Sequence, residues 1–339
     1  MHIRELLAVV TTCAFVALSV SARDDAQTSS PAVAKSGVET SSAVIGGHLY
    51  DRIAVVGASA SDGFGVFVRE DSPAPDPADP TAKPAKKNPQ VRLNLADVLR
   101  FANSLPGSDG KSATKITVHH YASGFFFSNP GPVGRGEIDR ALAAKPTLVL
   151  GLDFLFWYVY GTVTANGKLM QTGEERLANL EAGLAQLDRV LAAGIPLVIS
   201  DIPDMHDAIG KMLSKNQVPT EATLASVNAR LSEWLQTRPT AKLIALSRIL
   251  GVLKSGGSID LAGRTWDPAE FGELLQKDQL HPTFAGTVII AAALIDVARA
   301  NDTASAPPFD FSPKEIRAKV LEKQAAKSAP ITEDSPTTR

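Results

Sequence analysis

Short apolar runs alternate with longer amphipathic stretches along most of the chain. Runs rich in β-branched residues, bounded by small or polar residues, are typical of buried strands. Strands with almost no polar residue are typical of a sheet covered on both faces. On this pattern five strands are predicted, at residues 53–56, 116–121, 147–152, 196–200 and 243–246.

Between these runs, apolar residues recur at helical spacing. The clearest helix is predicted from about Glu174 to Leu191, because Thr172 and Glu175 form a capping-box pattern at its start and Gly194 suits its end. Further helices are predicted at residues 95–105 and 136–144, after Pro219, and at 284–298. Alternating strands and helices predict an α/β fold, a three-layer sandwich with a mostly parallel five-stranded sheet between helices.

The first 22 residues have the pattern of an export signal. Arg4 precedes an apolar run from Leu6 to Val20, and small residues follow where a signal peptidase could cut. Cys13 is the single cysteine of the chain and lies in this segment. The mature chain would therefore have no disulfide, no cysteine nucleophile and no thiolate metal site. We expect a secreted or periplasmic protein, with bacterial origin favoured, and no integral membrane span after cleavage.

The rest of the chain predicts one folded domain, from residue 46 to residue 300. Residues 23–45 are polar and aperiodic and are interpreted as a flexible linker. Residues 70–90 are crowded with proline and are interpreted as an insertion near the first strand, because proline removes the hydrogen-bond donor that a sheet or helix needs. Residues 301–339 are polar and are expected to fray, apart from one short helix at 312–324.

The composition is that of an ordinary globular protein, with 44% apolar residues and a net charge of −2. The charge pattern shows no basic stripe of the kind that binds nucleic acid. We expect a monomer that acts on a small-molecule, lipid or glycan substrate.

Candidate chemistry begins where the first strand breaks into small residues, Gly57-Ala58-Ser59-Ala60-Ser61-Asp62-Gly63. Ser59 lies on this turn and is a candidate nucleophile, but a serine hydroxyl needs a base within hydrogen-bond reach and a group that orients the base. Asp278-Gln279-Leu280-His281-Pro282 offers both. The spacing lets Asp278 hold one ring nitrogen of His281, and Pro282 suits the start of a helix.

These two motifs together resemble those of the SGNH, or GDSL-type, hydrolases. The segment from Gly57 to Gly63 matches that family's first block except that Ala58 and Ala60 replace Asp and Leu, and the Asp-x-x-His block is intact. The Gly-x-Ser-x-Gly elbow of the α/β-hydrolases fits less well, because Ser61 stands where the second glycine should be. The resemblance implies a flavodoxin-like SGNH fold, with Ser59, Asp278 and His281 as catalytic residues.

The resemblance also implies an oxyanion hole. It would consist of the backbone N–H of Ser59, the backbone N–H of Gly124, and an Asn side chain whose position here is Asp153. An ionised carboxylate at Asp153 would repel the developing oxyanion and could donate only if burial kept it protonated. Asp153 therefore suggests an enzyme of low activity, an enzyme with altered activity, or an incorrect match between this segment and the family's Asn block.

Other patterns have simpler readings. The segment from Asp201 to His206 has metal-ligating residue types but is interpreted as a loop, and His119 and His120 receive no role. Residues 125–127 and 154–160 hold aromatic side chains that are either core or an apolar groove. No metal or organic cofactor is predicted.

The leading hypothesis is an exported serine hydrolase of carboxylic esters, of the esterase or lipase kind. Two alternatives stay open. One is a secreted binding or cell-envelope protein that has lost efficient catalysis, and the other is a carbohydrate O-acetyl esterase or acyltransferase.

Overall fold

The computed structural model describes residues 48–69, 90–105, 116–302 and 309–328. The predicted signal peptide, the predicted linker, residues 70–89 of the predicted insertion and the end of the predicted tail lie outside the described residues. In chain order the strands are β1 (Arg52–Val55), β2 (Phe67–Arg69), β3 (Gln90–Arg92), β4 (Thr117–His120), β5 (Leu148–Gly151), β6 (Leu197–Ser200), β7 (Ala241–Ile244), β8 (Ile259–Leu261) and β9 (Arg264–Trp266). The helices are α1 (Leu95–Ser104), α2 (Pro130–Ala143), α3 (Phe156–Val159), α4 (Gly173–Ala192), α5 (Glu221–Gln236), α6 (Leu246–Lys254), α7 (Pro268–Phe271), α8 (Phe284–Ala298) and α9 (Pro313–Ser328).

Five strands form one parallel sheet in the order β4-β1-β5-β6-β7. In β1, Ile53 lies opposite Val118 of β4 and Leu148 of β5. Both faces of the central strands are buried, as their unbroken apolar sequence predicts. The predicted α/β fold with a five-stranded parallel sheet flanked by helices is confirmed.

The order of the strands decides on which face each helix packs. The chain steps from β1 to β4 in one direction and then from β4 through β5 and β6 to β7 in the other. Because crossovers between parallel strands are right-handed, α1 lies on one face and α2, α4 and α5 lie on the other. The contacts agree, since α4 packs against α2 and α5 while α1 packs against α8. All the loops at the carboxyl ends of the strands open at the same edge of the sheet, where ligands bind in such folds.

Two helices show how local sequence sets the fold. The capping box predicted at Thr172 and Glu175 is present at the start of α4, and Gly194 has the positive φ of +74° that a helix end requires. Helix α8 is apolar on nearly all sides because it is buried in the core. Residues 284–301 are also long and apolar enough to cross a membrane by length and composition, with a mean hydropathy of 1.5.

Several boundaries differ from those predicted. The fifth central strand spans 241–244, and Leu246, predicted as its last residue, begins α6 instead. Helix α2 begins at Pro130 instead of Gly136, because a proline is tolerated in the first turn, where no N–H partner is needed. The hairpins β2–β3 and β8–β9 were not predicted, since strands of three residues are too short to show a period.

The C-terminal region is also more ordered than predicted. Residues 309–311 lead into α9, which buries Ile316 and Val320 against the rest of the fold. Helix α9 packs against α1, α8 and the β2–β3 hairpin. The short helix predicted at residues 312–324 is present as α9, which extends to Ser328.

Candidate active site

Ser59 lies on the turn that follows β1, at the carboxyl edge of the sheet. The strand direction continues to Val56, whose N–H donates to the Leu150 carbonyl at 2.9 Å. Gly57 then takes a φ of +140°, which redirects the chain. The turn is closed by backbone hydrogen bonds from Asp62 to Ala58 and from Phe64 to Ser59, both 2.9 Å. Ser59 is held in a tight turn and is 9% exposed.

Asp278 and His281 lie in the loop before α8. The Asp278 Oδ1 accepts the N–H of Leu280 at 2.9 Å and that of His281 at 3.0 Å, so the carboxylate closes its own turn. Gln279 inside this turn has a φ of +58°, an uncommon conformation for a residue with a side chain. Pro282 does not open the helix as predicted, because Thr283 is the N-cap and α8 begins at Phe284.

The structure brings the three predicted side chains into one chain of hydrogen bonds. His281 Nδ1 lies 2.8 Å from Asp278 Oδ2, and His281 Nε2 lies 2.9 Å from Ser59 Oγ. A carboxylate accepts, so the ring proton belongs on Nδ1 and the lone pair of Nε2 faces the serine hydroxyl. Burial alone would raise the pKa of Asp278, but the hydrogen bonds from His281 and Leu280 outweigh it and hold this pKa below its usual value.

His281 is shielded from solvent by the loop that follows Ser59. The Phe64 ring lies 4.4 Å from the imidazole, centroid to centroid, and His281 is only 2% exposed. The Gln276 Nε2 donates to the Phe64 carbonyl at 2.7 Å and to the Pro282 carbonyl at 2.8 Å. This one side chain links the loop that carries Ser59 to the loop that carries His281, which lies more than two hundred positions further along the chain.

Gly124 lies in the loop after β4, beside the Ser59 turn. The two loops are joined by a 2.9 Å hydrogen bond from the Ser123 N–H to the Gly57 carbonyl. Among the described residues, none accepts a hydrogen bond from the N–H of Ser59 or of Gly124. The oxyanion role of these two N–H groups stays a prediction, and this placement is compatible with it.

Asp153 follows β5 and reaches the same turn, but as an acceptor. Its Oδ1 accepts the Ala58 N–H at 2.9 Å and the Ser61 hydroxyl at 2.6 Å. Its Oδ2 accepts the Ala60 N–H at 2.8 Å and the Ser61 N–H at 3.4 Å. These donors occupy both carboxylate oxygens, so Asp153 acts as an acceptor towards the Ser59 turn.

Glu137 is a site residue that the sequence did not indicate. It projects from α2, has no accessible surface, and accepts the Gly57 N–H on Oε2 at 2.8 Å. Burial raises its pKa to about 9; the Gly57 N–H lowers the value and the nearby Asp153 charge raises it. Glu137 is therefore a neutral acid at pH 7. In the sequence it stands in a predicted amphipathic helix like many exposed glutamates, so no pattern marked it.

An apolar pocket opens beside Ser59 and His281. Its cavity volume is about 50 Å³, and it is partly open to solvent. Most of its wall is aliphatic or aromatic, and its polar side chains lie near the sheet edge. The apolar wall is formed by Ala60, Leu152, Phe156, Ile202, Pro203, Met205, Leu246, Leu250, Leu275, Leu280, Pro282 and Ile290.

The aromatic segments divide between core and surface. Phe126 and Phe154 are buried against each other, while Phe125 and Phe127 are exposed. Of the aromatic residues considered for a groove, Phe156 lines the pocket.

The remaining polar candidates have structural partners. Asp201 accepts the Ser247 N–H at 3.0 Å at the start of α6, and Asp204 pairs with the exposed His206. His120 Nε2 lies 3.0 Å from Asp62, which also binds Arg92 at 2.7 Å. Within the described ranges, no group of three or more His, Cys, Asp or Glu residues is arranged to hold a metal ion.

Comparison with known proteins gives structural likenesses only. No family model and no curated protein matches the chain. A gut microbial diltiazem-metabolizing enzyme is similar with a TM-score of 0.45 at 11% identity, over 73% of this chain and 46% of its own. This chain thus spans less than half of that enzyme.

Two smaller proteins are similar over nearly their whole length. A psychrotrophic esterase from Pseudoalteromonas has a TM-score of 0.39 at 14% identity, over 74% of this chain and 97% of its own. An acetylxylan esterase from Geobacillus stearothermophilus has a TM-score of 0.39 at 13% identity, over 77% and 95%. Likeness at this level says nothing about substrate, so the chemistry has to be read from the side chains.

Proposed function

We propose that this chain is a serine hydrolase that cleaves carboxylic esters through an acyl-enzyme on Ser59. The observation that carries the proposal is the chain of hydrogen bonds from Asp278 through His281 to Ser59, with distances of 2.8 and 2.9 Å. A nucleophile, a base and a group that orients the base in this geometry form the arrangement that activates a serine hydroxyl.

In the first half of the reaction, His281 Nε2 takes the Ser59 hydroxyl proton while Oγ attacks the ester carbonyl. Asp278 stabilises the imidazolium that results and keeps the proton on Nδ1. The tetrahedral intermediate collapses when Nε2 returns its proton to the leaving alcohol, which leaves the acyl group on Ser59.

In the second half, water replaces the alcohol. His281 Nε2 removes a proton from the water as it attacks the acyl carbonyl, and then returns the proton to Ser59 Oγ as the carboxylic acid leaves. The N–H groups of Ser59 and Gly124 are the proposed donors to the oxyanion in both halves.

The pocket supports an ester with an apolar group next to the reacting carbon or oxygen. Its wall is mainly aliphatic, and a glycan would leave hydroxyl groups there without partners, which costs free energy. We therefore favour apolar esters over acetylated glycans.

The test is labelling of the purified protein with a fluorophosphonate, followed by peptide mapping and an ester panel of increasing acyl and alcohol length. We expect one adduct, on Ser59, and hydrolysis that falls at least ~10⁴-fold in Ser59→Ala. Ser226→Ala, an exposed serine on α5, is the matched control and should behave like the native protein. Full activity in Ser59→Ala would overturn the proposal, and a folded protein without any adduct would favour the binding-protein alternative.

Export belongs to the same proposal and is supported by residues 1–22. Expression of the full chain in a bacterium should yield a mature N-terminus near Arg23 in the exported fraction. An uncleaved chain confined to the cytoplasm would contradict it.

A further inference from the structure

The turn that carries Ser59 is held by two carboxyl groups from different elements. Asp153, after β5, takes hydrogen bonds from residues on both sides of Ser59, namely Ala58, Ala60 and Ser61. Glu137, on α2, takes the N–H of Gly57. The backbone N–H groups of residues 57, 58, 60 and 61 thus all donate to a carboxyl oxygen, and the Ser59 N–H lies among them.

Gly57 makes this arrangement possible. A Cβ there would lie 2.4 Å from Asp153 Oδ1 and 2.8 Å from Ser61 Oγ, so any larger residue would displace the carboxylate from the turn. The Ala58 N–H donates to Asp153. Both residues of this contact depart from the SGNH pattern, since Ala58 stands where that pattern has Asp and Asp153 stands where it has Asn.

We infer that Asp153 and Glu137 are positioning residues that fix the Ser59 turn, and that Asp153 takes no part in stabilising the oxyanion. The inference rests on the proposed role of Ser59 as nucleophile. Its geometrical basis is the hydrogen bonds to both sides of Ser59, which set where the Ser59 hydroxyl meets His281 and where the Ser59 N–H points.

The two carboxyl groups differ in burial and in the donors that they meet. Glu137 is fully buried, which raises its pKa to about 9, whereas Asp153 accepts four hydrogen bonds. A second negative charge beside the first would be costly in this buried position. A neutral Glu137 therefore holds Gly57 without adding negative charge where an oxyanion must form.

Asp153→Asn distinguishes the positioning role from an oxyanion role for position 153, because the two roles predict opposite changes in kcat. If position 153 served the oxyanion, an amide would supply the missing donor and raise kcat by roughly 10²–10³. If Asp153 positions the turn, the amide NH₂ must face at least one turn N–H in either orientation. We then expect kcat to fall by about 10–10²-fold with KM nearly unchanged, because small misplacements of a reacting group have costs of this size.

Glu137 is tested by a conservative and a disruptive exchange. Glu137→Gln keeps a neutral acceptor for the Gly57 N–H and should retain kcat within about threefold. Glu137→Leu leaves that N–H unpaired and should lower kcat by about tenfold or more. Asp139→Asn, an exposed residue of the same helix, is the control. A kcat raised by Asp153→Asn, or equal kcat values for Glu137→Gln and Glu137→Leu, would overturn the inference.

A readout independent of turnover keeps this test separate from that of the proposed function. Hydrogen exchange of the peptide spanning residues 57–61 should accelerate in Asp153→Asn and Glu137→Leu, but not in Glu137→Gln or Asp139→Asn. No adduct on Ser59 with this exchange pattern would refute the proposed nucleophile and leave the turn contacts supported. Unchanged exchange in Asp153→Asn and Glu137→Leu would refute the positioning role, whatever the activity.

Discussion

At the scale of single residues, the raised pKa of the buried Glu137 carboxyl makes the stability of the folded chain depend on pH. Its pKa is raised in the folded state from 4.5 to about 9, with burial as the main cause. The folded protein therefore keeps a proton that the unfolded chain releases above pH 4.5. By linkage, the stability that this group contributes is fully present below pH 4.5 and is lost as the pH rises towards 9.

The stability of Glu137→Gln should therefore depend less on pH than that of the native protein. Gln cannot ionise in either state, so the unfolded chain gains no advantage as the pH rises. Between pH 4.5 and pH 7, the native protein should lose at most about 3 kcal/mol of unfolding free energy that Glu137→Gln keeps. Urea denaturation of the variant, the native protein and Asp139→Asn from pH 5 to pH 9 measures it. Parallel curves for all three proteins would contradict the raised pKa.

At the scale of elements, Gln276 links the loop that carries Ser59 to the loop that carries His281. Its Nε2 donates to carbonyls on both loops, at 2.7 and 2.8 Å. Hydrogen bonds inside each loop fix the shape of that loop, whereas this side chain fixes one loop against the other. The Ser59–His281 distance therefore depends on a residue outside the Asp-x-x-His motif.

Gln276→Ala should lower kcat by roughly tenfold, because the two loops lose a shared donor and the base is less well aligned. The thermal midpoint should change little, since the core is untouched. Steady-state kinetics together with a thermal melt separates the two effects. Gln186→Ala, a half-buried glutamine of α4 that accepts a hydrogen bond from Arg189, controls for the loss of a glutamine. An unchanged kcat would show that Phe64 and the backbone suffice to align the loops.

The elements that the sequence predicted well are those with a strong local signal. Helix α4 has both parts of its capping box, and the central strands read as apolar runs because they are covered on both faces. The boundary near Leu246 was wrong because an apolar run does not tell whether it ends a strand or begins a buried helix. The segments around Ser59 and from Asp278 to His281 were visible since each is short and contiguous.

What the sequence did not reveal depends on contacts between distant positions. Glu137 and Gly57 are far apart in sequence, and burial is the main cause that raises the pKa of this helix glutamate. Asp153 was singled out from the sequence, but the donors that it meets in the Ser59 turn became visible only in the structure.

At the scale of the whole molecule, α9 packs on α1, α8 and the β2–β3 pair. Ile316 is fully buried and Val320 is 1% exposed, on a helix that otherwise reads as polar. The Arg317 guanidinium also donates to the Arg69 carbonyl at 2.7 Å, so α9 is joined to β2. Since β2 follows the Ser59 turn in the chain, α9 is linked to that turn through β2.

Ile316→Ala should therefore lower stability without changing the chemistry. Loss of a buried isoleucine costs about 2–5 kcal/mol through lost burial and the cavity it leaves. We expect a lower thermal midpoint, with kcat and KM close to native values well below that midpoint. Lys327→Ala, near the end of the same helix, is the control for a change in α9 that removes no buried residue. If Ile316→Ala instead lowered kcat while the protein stayed folded, α9 would act on the site through β2, and the support it gives would be functional as well as structural.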